Sequence, residues 1–256
     1  MKKTILVPTD FSINAWVALQ YAANMAIETE AELKIVHVFS QSKKNAKHQM
    51  DMLIAKLITQ FPTIICNGLC QKGGLGEVII QLLTNHPYAL IIMGTKGVSG
   101  LKSVLMGSNA LGIVNQASIP VLTIPENTNY QIQRVGLLSN YKNFEIDVMK
   151  KAIDILPSSF SLTLLHVRET ENDDEELILE SWKEVMKDKT RLKDNGVKLG
   201  IGSGVSSIVN TMVKEEKIDL LVATNNGRSF FKTLFNKNLI KTIAIRPQIP
   251  VLFIKV

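Results

Sequence analysis

The sequence predicts an α/β protein made of two tandem, doubly wound, Rossmann-like domains, each with a five-stranded parallel sheet. Two observations support this prediction: short β-like runs alternate with helical patterns along the chain, and the second half of the chain repeats the first. Alternation of strands with helices is typical of a parallel sheet that is covered by helices on both faces. At 256 residues the chain is long enough for two domains of ordinary size.

The repeat has an offset of about 130 residues. Leu33–Val38 (LKIVHV) returns 129 residues later as Leu162–Val167 (LTLLHV), and Ile119–Leu122 (IPVL) returns 130 residues later as Ile249–Leu252. Several ordered matches at nearly one offset indicate two copies of one unit. The polar stretch Pro125–Gln133 is suited to a linker between them. The predicted domains are residues 1–127 and 132–256.

In the first copy, apolar runs bounded by turn residues predict five strands, and longer periodic stretches between them predict four helices. Ala89–Met93 (ALIIM) is apolar throughout, as expected of a strand covered on both faces. The predicted strands are Thr4–Val7, Leu33–Phe39, Thr63–Cys70, Ala89–Met93 and Val121–Ile124. The predicted helices are Ile13–Thr29, Lys43–Gln60, Leu75–Asn85 and Asn109–Ala117.

The second copy repeats this order, with helices between its strands. Each copy ends in a short apolar strand, and exposed apolar edges tend to pair. We therefore predict that the two copies pack as a pseudo-dimer through their last strands. A homodimer of whole chains is a further alternative. The predicted strands are Val135–Leu138, Leu162–Val167, Val197–Gly202, Leu220–Ala223 and Val251–Lys255.

Charge and hydropathy point away from nucleic acid and membranes. The net charge of +6 is shared evenly: residues 1–128 hold 10 Lys and Arg against 7 Asp and Glu, and residues 129–256 hold 19 against 16. Nucleic-acid binding is instead typical of a basic cluster or stripe. No apolar run approaches the roughly 20 residues of a membrane helix. The apolar stretch at the start ends at Pro8, too short for a secretory signal, so we predict a cytoplasmic protein.

The glycines after the fourth predicted strand are the most informative functional signal. Gly94, Gly97 and Gly107, followed directly by Ser108, form the spacing G-x2-G-x9-G-S between a buried strand and a helix. Glycine lets a backbone approach phosphate oxygens without a Cβ in the way. Ser108 is a good N-cap, and a helix start offers free N–H groups and a favourable dipole to an anion. An ordinary glycine-rich loop is the structural alternative.

A second candidate element, Pro8–Ser12 (PTDFS), directly follows the first strand. In open α/β sheets, ligands bind beyond the carboxyl ends of the strands, where the strand order reverses. Asp10 can accept a hydrogen bond from a ribose hydroxyl there, although Asp10 and Ser12 also suit a helix start. Together with the glycine loop, this segment favours a ligand site.

These segments resemble the universal stress protein family, and the resemblance covers the whole chain. It rests on VPTDFS, LKIVHV, IIMGTKG…GS and IPVLTIP. The resemblance implies a sheet of strand order 3-2-1-4-5 in each domain and an ATP site in the first domain. Whether Mg²⁺ binds together with ATP is left open. By this resemblance Asp10 contacts ribose and the backbone of Val38 holds adenine. The other implied site residues are Pro8, Gly94, Gly97, Gly107, Ser108 and Asn109.

The second copy departs from this pattern at five of these positions. Side chains stand where the backbone would approach phosphate, so we expect no nucleotide site in the second copy. Its loop is basic, so the binding of another anion there is an alternative. The replacements are Asn140 for Asp10, Ala223 for Gly94, Asn226 for Gly97, and Asn236-Lys237 for Gly107-Ser108.

These observations predict an ATP-binding regulatory protein of the stress response with little or no catalytic turnover. No nucleophile–base pair is evident, and His37, inside a β run, is interpreted as a packed strand histidine. Two alternatives stay open: a structural or dimerisation module that needs no ligand, and a weak ATP hydrolase on the same fold. The sequence does not separate ATP from ADP, AMP or a cyclic nucleotide, and it does not identify the protein partner.

Overall fold

The computed structural model describes residues 2–40, 42–95, 107–126, 128–157, 159–168, 173–190, 195–202, 205–225 and 248–255. The chain divides into two units, Met1–Tyr130 and Gln131–Val256. The boundary falls within the polar stretch that the sequence assigns to the linker.

The first unit is an open parallel sheet with helices between its strands. Its strands are β1 (Thr4–Thr9), β2 (Glu32–Phe39), β3 (Cys66–Lys72), β4 (Leu90–Gly94) and β5 (Val121–Ile124). Its helices are α1 (Ile13–Glu28), α2 (Lys43–Gln60), α3 (Leu75–Asn85) and α4 (Ser108–Gln116). All strand pairs are parallel, in the order β3-β2-β1-β4-β5. Right-handed crossovers therefore place α1 and α2 on one face and α3 and α4 on the other.

The second unit has the same topology. Its strands are β6 (Arg134–Leu138), β7 (Ser161–Arg168), β8 (Asn195–Ile201), β9 (Leu220–Asn225) and β10 (Val251–Lys255). Its described helices are α5 (Phe144–Ile155), α6 (Asp173–Thr190) and α7 (Val205–Glu215). The parallel order is β8-β7-β6-β9-β10, which confirms the predicted fold class and the strand order 3-2-1-4-5. The last predicted helix falls in residues 226–247, outside the described residues.

The core of the first unit lies on both faces of β1 and β4. Leu6 and Val7 are adjacent in β1 and both are fully buried, as are Ile91 and Ile92 in β4. Adjacent strand residues point to opposite faces, so these strands are covered on both sides, as the apolar run in the sequence predicted. Buried alanines, such as Ala22, let α1 pack closely over β1 and β4. This packing positions the start of α1 beside the end of β1.

One strand begins later than the sequence predicts. We predicted a strand over Thr63–Cys70, but β3 begins at Cys66. After α2 the chain makes a turn in which Ile64 N donates to Phe61 O at 3.1 Å. The backbone therefore joins the sheet only beyond this turn, where Ile65 O accepts from Leu33 N at 2.9 Å.

Candidate functional site

A cleft of about 280 Å³ lies at the carboxyl ends of the strands of the first unit. β1 pairs with β2 on one side and with β4 on the other, so the chain leaves β1 and β4 toward opposite faces of the sheet. A crevice forms at such a point of reversal. The predicted site residues that line the cleft are Pro8, Asp10, Val38, Gly94, Gly107, Ser108 and Asn109. Gly97 lies outside the described residues.

The end of β1 presents Asp10 to the cleft. Its Oδ1 accepts a hydrogen bond from Ser12 N at 3.0 Å, and Thr9 Oγ1 accepts one from Phe11 N at 3.1 Å. Ser12 then caps α1, because its Oγ accepts from Ala15 N at 3.1 Å. Asp10 is therefore held by a tight turn at the rim of the cleft, with its carboxylate half exposed.

His37 supports this turn from β2. Its Nδ1 lies 2.9 Å from the carbonyl oxygen of Thr9, and its ring lies 4.2 Å from the ring of Phe11. A carbonyl oxygen only accepts, so Nδ1 carries the proton. Phe11 adopts a φ of 62°, which is uncommon for a bulky residue, and the ring contact holds it there. The contacts agree with the interpretation of His37 as a packed strand histidine.

A backbone hydrogen bond joins the residues on either side of the glycine loop. Thr95 follows β4 and is 4% exposed, and its carbonyl oxygen accepts from Gly107 N at 2.7 Å. This bond joins the two ends of the loop 96–106, which lies outside the described residues. It fixes the start of α4 beside Gly94, which ends β4.

The prediction that Ser108 caps α4 is wrong. Gly107 is the N-cap: its φ of −63° and ψ of 154° are extended, and its carbonyl accepts the first helical bond from Leu111 N at 3.1 Å. Since Gly107 N is bound to Thr95, helical geometry begins one residue earlier than predicted, at Ser108. The N–H groups of the first turn, from Ser108 to Ala110, have no carbonyl partner within the helix and point toward the cleft end of α4.

Sequence reasoning missed Gly73, which also lines the cleft. Gly73 has a φ of 147°, a conformation that residues with side chains rarely adopt, whereas its neighbour Gly74 has a φ of −88° and caps α3. The cleft therefore has the starts of two helices at its edge, α3 and α4. The signal was the run of glycines in KGGLG at residues 72–76, directly after β3.

The electrostatic character of the cleft differs between its two ends. Among the described residues that line it, Asp10 carries the sole formal charge, and Lys and Arg are absent from that set. A phosphate group is therefore repelled at the Asp10 end and favoured at the start of α4, where the helix dipole is positive.

The second unit repeats the supporting turn but changes the residues around it. His166 Nδ1 lies 2.8 Å from the carbonyl oxygen of Ser139, and the rings of Tyr141 and His166 lie 4.5 Å apart. Tyr141 has a φ of 58°, close to that of Phe11. The buried Glu145 follows this turn and was also missed, because an acidic residue in the first turn of a helix looks ordinary in a sequence. The altered loop positions Asn226, Asn236 and Lys237 lie outside the described residues.

The first unit matches the family model of the universal stress protein family over residues 1–59 and 70–125. The first unit therefore belongs to the universal stress protein family, which confirms for this unit the resemblance seen in the sequence.

Individual relatives agree with this assignment. The chain is similar to the universal stress proteins MJ0577 and MJ0531 of Methanocaldococcus jannaschii, with 23% identity over 154 residues and 26% over 139 residues. Each alignment covers 48% of this chain, and they cover 95% and 81% of the two relatives. The solved structure of a universal stress protein from Archaeoglobus fulgidus shares the fold, with a TM-score of 0.76 and 18% identity, over 98% of this chain and 96% of that chain.

Among the described residues, no helix combines the length and the apolar character that crossing a membrane requires.

Proposed function

We propose that the first unit binds ATP and that the chain acts as a regulatory protein of the stress response with little or no catalytic turnover. The observation that carries this proposal is the cleft at the strand-order reversal, lined by Asp10, Val38, Gly94 and the start of α4. The match of this unit to the universal stress protein family model supports the same assignment.

The size and chemistry of the cleft fit an adenine nucleotide. A volume of about 280 Å³ is near the lower end of small-molecule clefts, which span roughly 300–1,000 Å³. Asp10 accepts hydrogen bonds, so it suits the hydroxyl groups of a ribose. Val38 lies one residue before the end of β2 and lines the cleft together with apolar side chains such as Met93, and its backbone can pair with the edge of a base. Ribose at Asp10 thus leaves the phosphates to extend toward α4.

The start of α4 suits the phosphates because it offers backbone N–H groups without a crowded approach. A Cβ on Gly107 would lie 3.6 Å from the carbonyl oxygen of Thr95. Since Gly107 has no Cβ, the backbone there stays open to a phosphate oxygen. Mg²⁺ is left open: bound with ATP, it would be held by the phosphate oxygens and several waters and would need no cage of protein carboxylates.

The hydrogen bonds of Asp10 and His37 support the proposal of low turnover. Asp10 already accepts from Ser12 N, and the Nδ1–H of His37 is directed at the carbonyl oxygen of Thr9. Neither group is arranged as a base beside a bound phosphate. A weak hydrolase is therefore an outcome of the experiment below, and the regulatory role is the proposal.

Three further predictions accompany this proposal. We expect the protein to be cytoplasmic, to act through a protein partner, and to have its two units paired through their last strands, Val121–Ile124 and Val251–Lys255. A homodimer of whole chains is a further alternative.

The nucleotide that the purified protein carries tests the proposal. We expect acid release followed by chromatography to yield adenine nucleotide, mainly ATP, at no more than one per chain. ADP, AMP and cyclic AMP standards identify the alternatives. A protein that carries no nucleotide and also binds none when ATP and Mg²⁺ are added would be a ligand-independent module. Steady release of ADP and phosphate from added ATP would instead indicate a hydrolase.

A further inference from the structure

Glu145 is a buried carboxylate in the second unit that the proposed function does not use. It lies in the first turn of α5 and is 1% exposed. Three donors surround it: Ser139 Oγ lies 2.5 Å from Oε2, Asn140 N lies 2.7 Å from Oε1, and Trp182 Nε1 lies 3.2 Å from Oε2. Both oxygens are thus hydrogen-bonded, as the burial of a charged group requires.

Ala15 is the residue at the matching position of the first unit. The two residues are 130 positions apart, which is the offset of the repeat. In both units the N–H of this residue bonds back three positions: Ala15 N donates to Ser12 Oγ at 3.1 Å, and Glu145 N donates to Lys142 O at 2.9 Å. The first bond goes to a side-chain oxygen and the second to a backbone oxygen, and both residues lie in the first turn of the first helix of their unit.

The two side chains differ in what they do at the strand end. Ala15 is short and lines the open cleft together with Thr9 and Asp10. Glu145 reaches the end of β6 and bonds Ser139 and Asn140, which match Thr9 and Asp10. The carboxylate therefore lies in the part of the second unit that corresponds to the Asp10 end of the cleft.

We propose that the second unit fills its own strand-end site with the Glu145 side chain, in the part that stays open beside Ala15 in the first unit. The residue at position 15 or 145 then decides whether a unit keeps an open cleft. The Glu145 side chain takes up the space that a ribose would need, and both of its oxygens already accept hydrogen bonds from Ser139, Asn140 and Trp182. Glu145 thus closes the second unit to nucleotides independently of its altered glycine loop. This inference rests on the proposed function only where ATP is the probe.

Chemical rescue with acetate tests the filled site without any nucleotide. Glu145→Ala leaves three donors facing a small cavity, so we expect the Tm in sodium chloride to fall by about 5 °C or more. Sodium acetate at the same ionic strength should restore part of this loss in a saturable way, because acetate supplies the missing carboxylate. Wild type should show the same Tm in both salts.

Two control variants make the result specific. Glu180→Ala removes a carboxylate from the surface of α6, where it pairs with Lys183, and it should show neither the loss nor the rescue. Glu145→Gln keeps the side-chain volume, so it should lose stability without rescue by acetate. A Glu145→Ala protein that folds only in acetate gives the same support. If acetate stabilises Glu145→Ala no more than wild type, the proposal is overturned.

The reciprocal change in the first unit is the second test, and it decides the matter if Glu145→Ala folds in neither salt. Ala15→Glu should lower the affinity for ATP about tenfold or more, whereas Ile13→Glu, which adds a carboxylate to the exposed side of the same turn, should change it by no more than about twofold. Titration calorimetry on proteins checked by circular dichroism measures both. ATP binding by folded Ala15→Glu at wild-type affinity overturns the proposal. If wild type itself binds no ATP, the proposed function fails, and the acetate experiment alone tests whether Glu145 fills the site of the second unit.

Discussion

Replacing Gly107 with valine is expected to lower the affinity for ATP by about a hundredfold while the protein stays folded. The branched side chain would stand at the start of α4, where backbone N–H groups are proposed to meet the phosphates. Losing one or two charge-assisted hydrogen bonds costs about 1.5–3 kcal/mol each, which accounts for this size of effect. Titration calorimetry with ATP and Mg²⁺ measures the affinity, and circular dichroism checks the fold.

The backbone at Gly107 makes this experiment easier to interpret. Glycine is not needed at this position for its backbone angles. With a φ of −63° and a ψ of 154°, Gly107 is extended, and valine adopts these angles without strain. Its Cβ would make an ordinary contact of 3.6 Å with Thr95 O. The loss of glycine as an N-cap should cost at most about 1 kcal/mol of stability.

Gly112→Val is the matched control on the same helix. Nothing lies within 4 Å of a Cβ at Gly112, and the residue lies one turn beyond the start of α4, outside the cleft lining. ATP affinity should therefore stay at the wild-type value. Wild-type affinity in a folded Gly107→Val protein would show that the phosphate assignment is wrong.

Asp10→Ala should lower the affinity for ATP by about 10- to 100-fold, because a hydrogen bond to a charged acceptor is worth about 1.5–3 kcal/mol. The lost partner is the proposed bond from a ribose hydroxyl to the carboxylate. Asp10→Asn keeps an oxygen that can accept from Ser12 N but loses the charge, so an intermediate loss of about tenfold is expected. Titration calorimetry on each variant gives these affinities.

A nucleotide without ribose hydroxyls separates this contact from a general disturbance of the turn. Wild type should bind 2′,3′-dideoxy-ATP more weakly than ATP, and Asp10→Ala should bind the two equally. A preference for ATP that is unchanged in Asp10→Ala would place the ribose elsewhere in the cleft.

The features that could be predicted from sequence are those that depend on pattern along the chain. Ala89–Met93 is apolar at every position, and this identified a strand buried on both faces, observed as Leu90–Gly94. Parallel strands end at one edge of the sheet, so Asp10 after β1 and Gly94 at the end of β4 were expected near each other. Both line the same cleft.

The features that could not be predicted depend on contacts between distant segments. Gly107 caps α4 because its N–H is bound to Thr95, across a loop whose path the sequence does not reveal. Glu145 is buried because Trp182, 37 positions further along the chain, reaches it from α6. In the sequence alone, Glu145 looks like a solvent-exposed acid favoured by the helix dipole.

The number of ATP molecules bound per chain tests the account most directly. Wild-type protein, freed of carried nucleotide, is titrated with ATP in the presence of Mg²⁺ and followed by calorimetry. The account predicts saturation at one ATP per chain, because the first unit has an open cleft and the second is filled by Glu145. Saturation at two equivalent sites would contradict the account of the second unit, and the absence of any binding would contradict the ATP site itself.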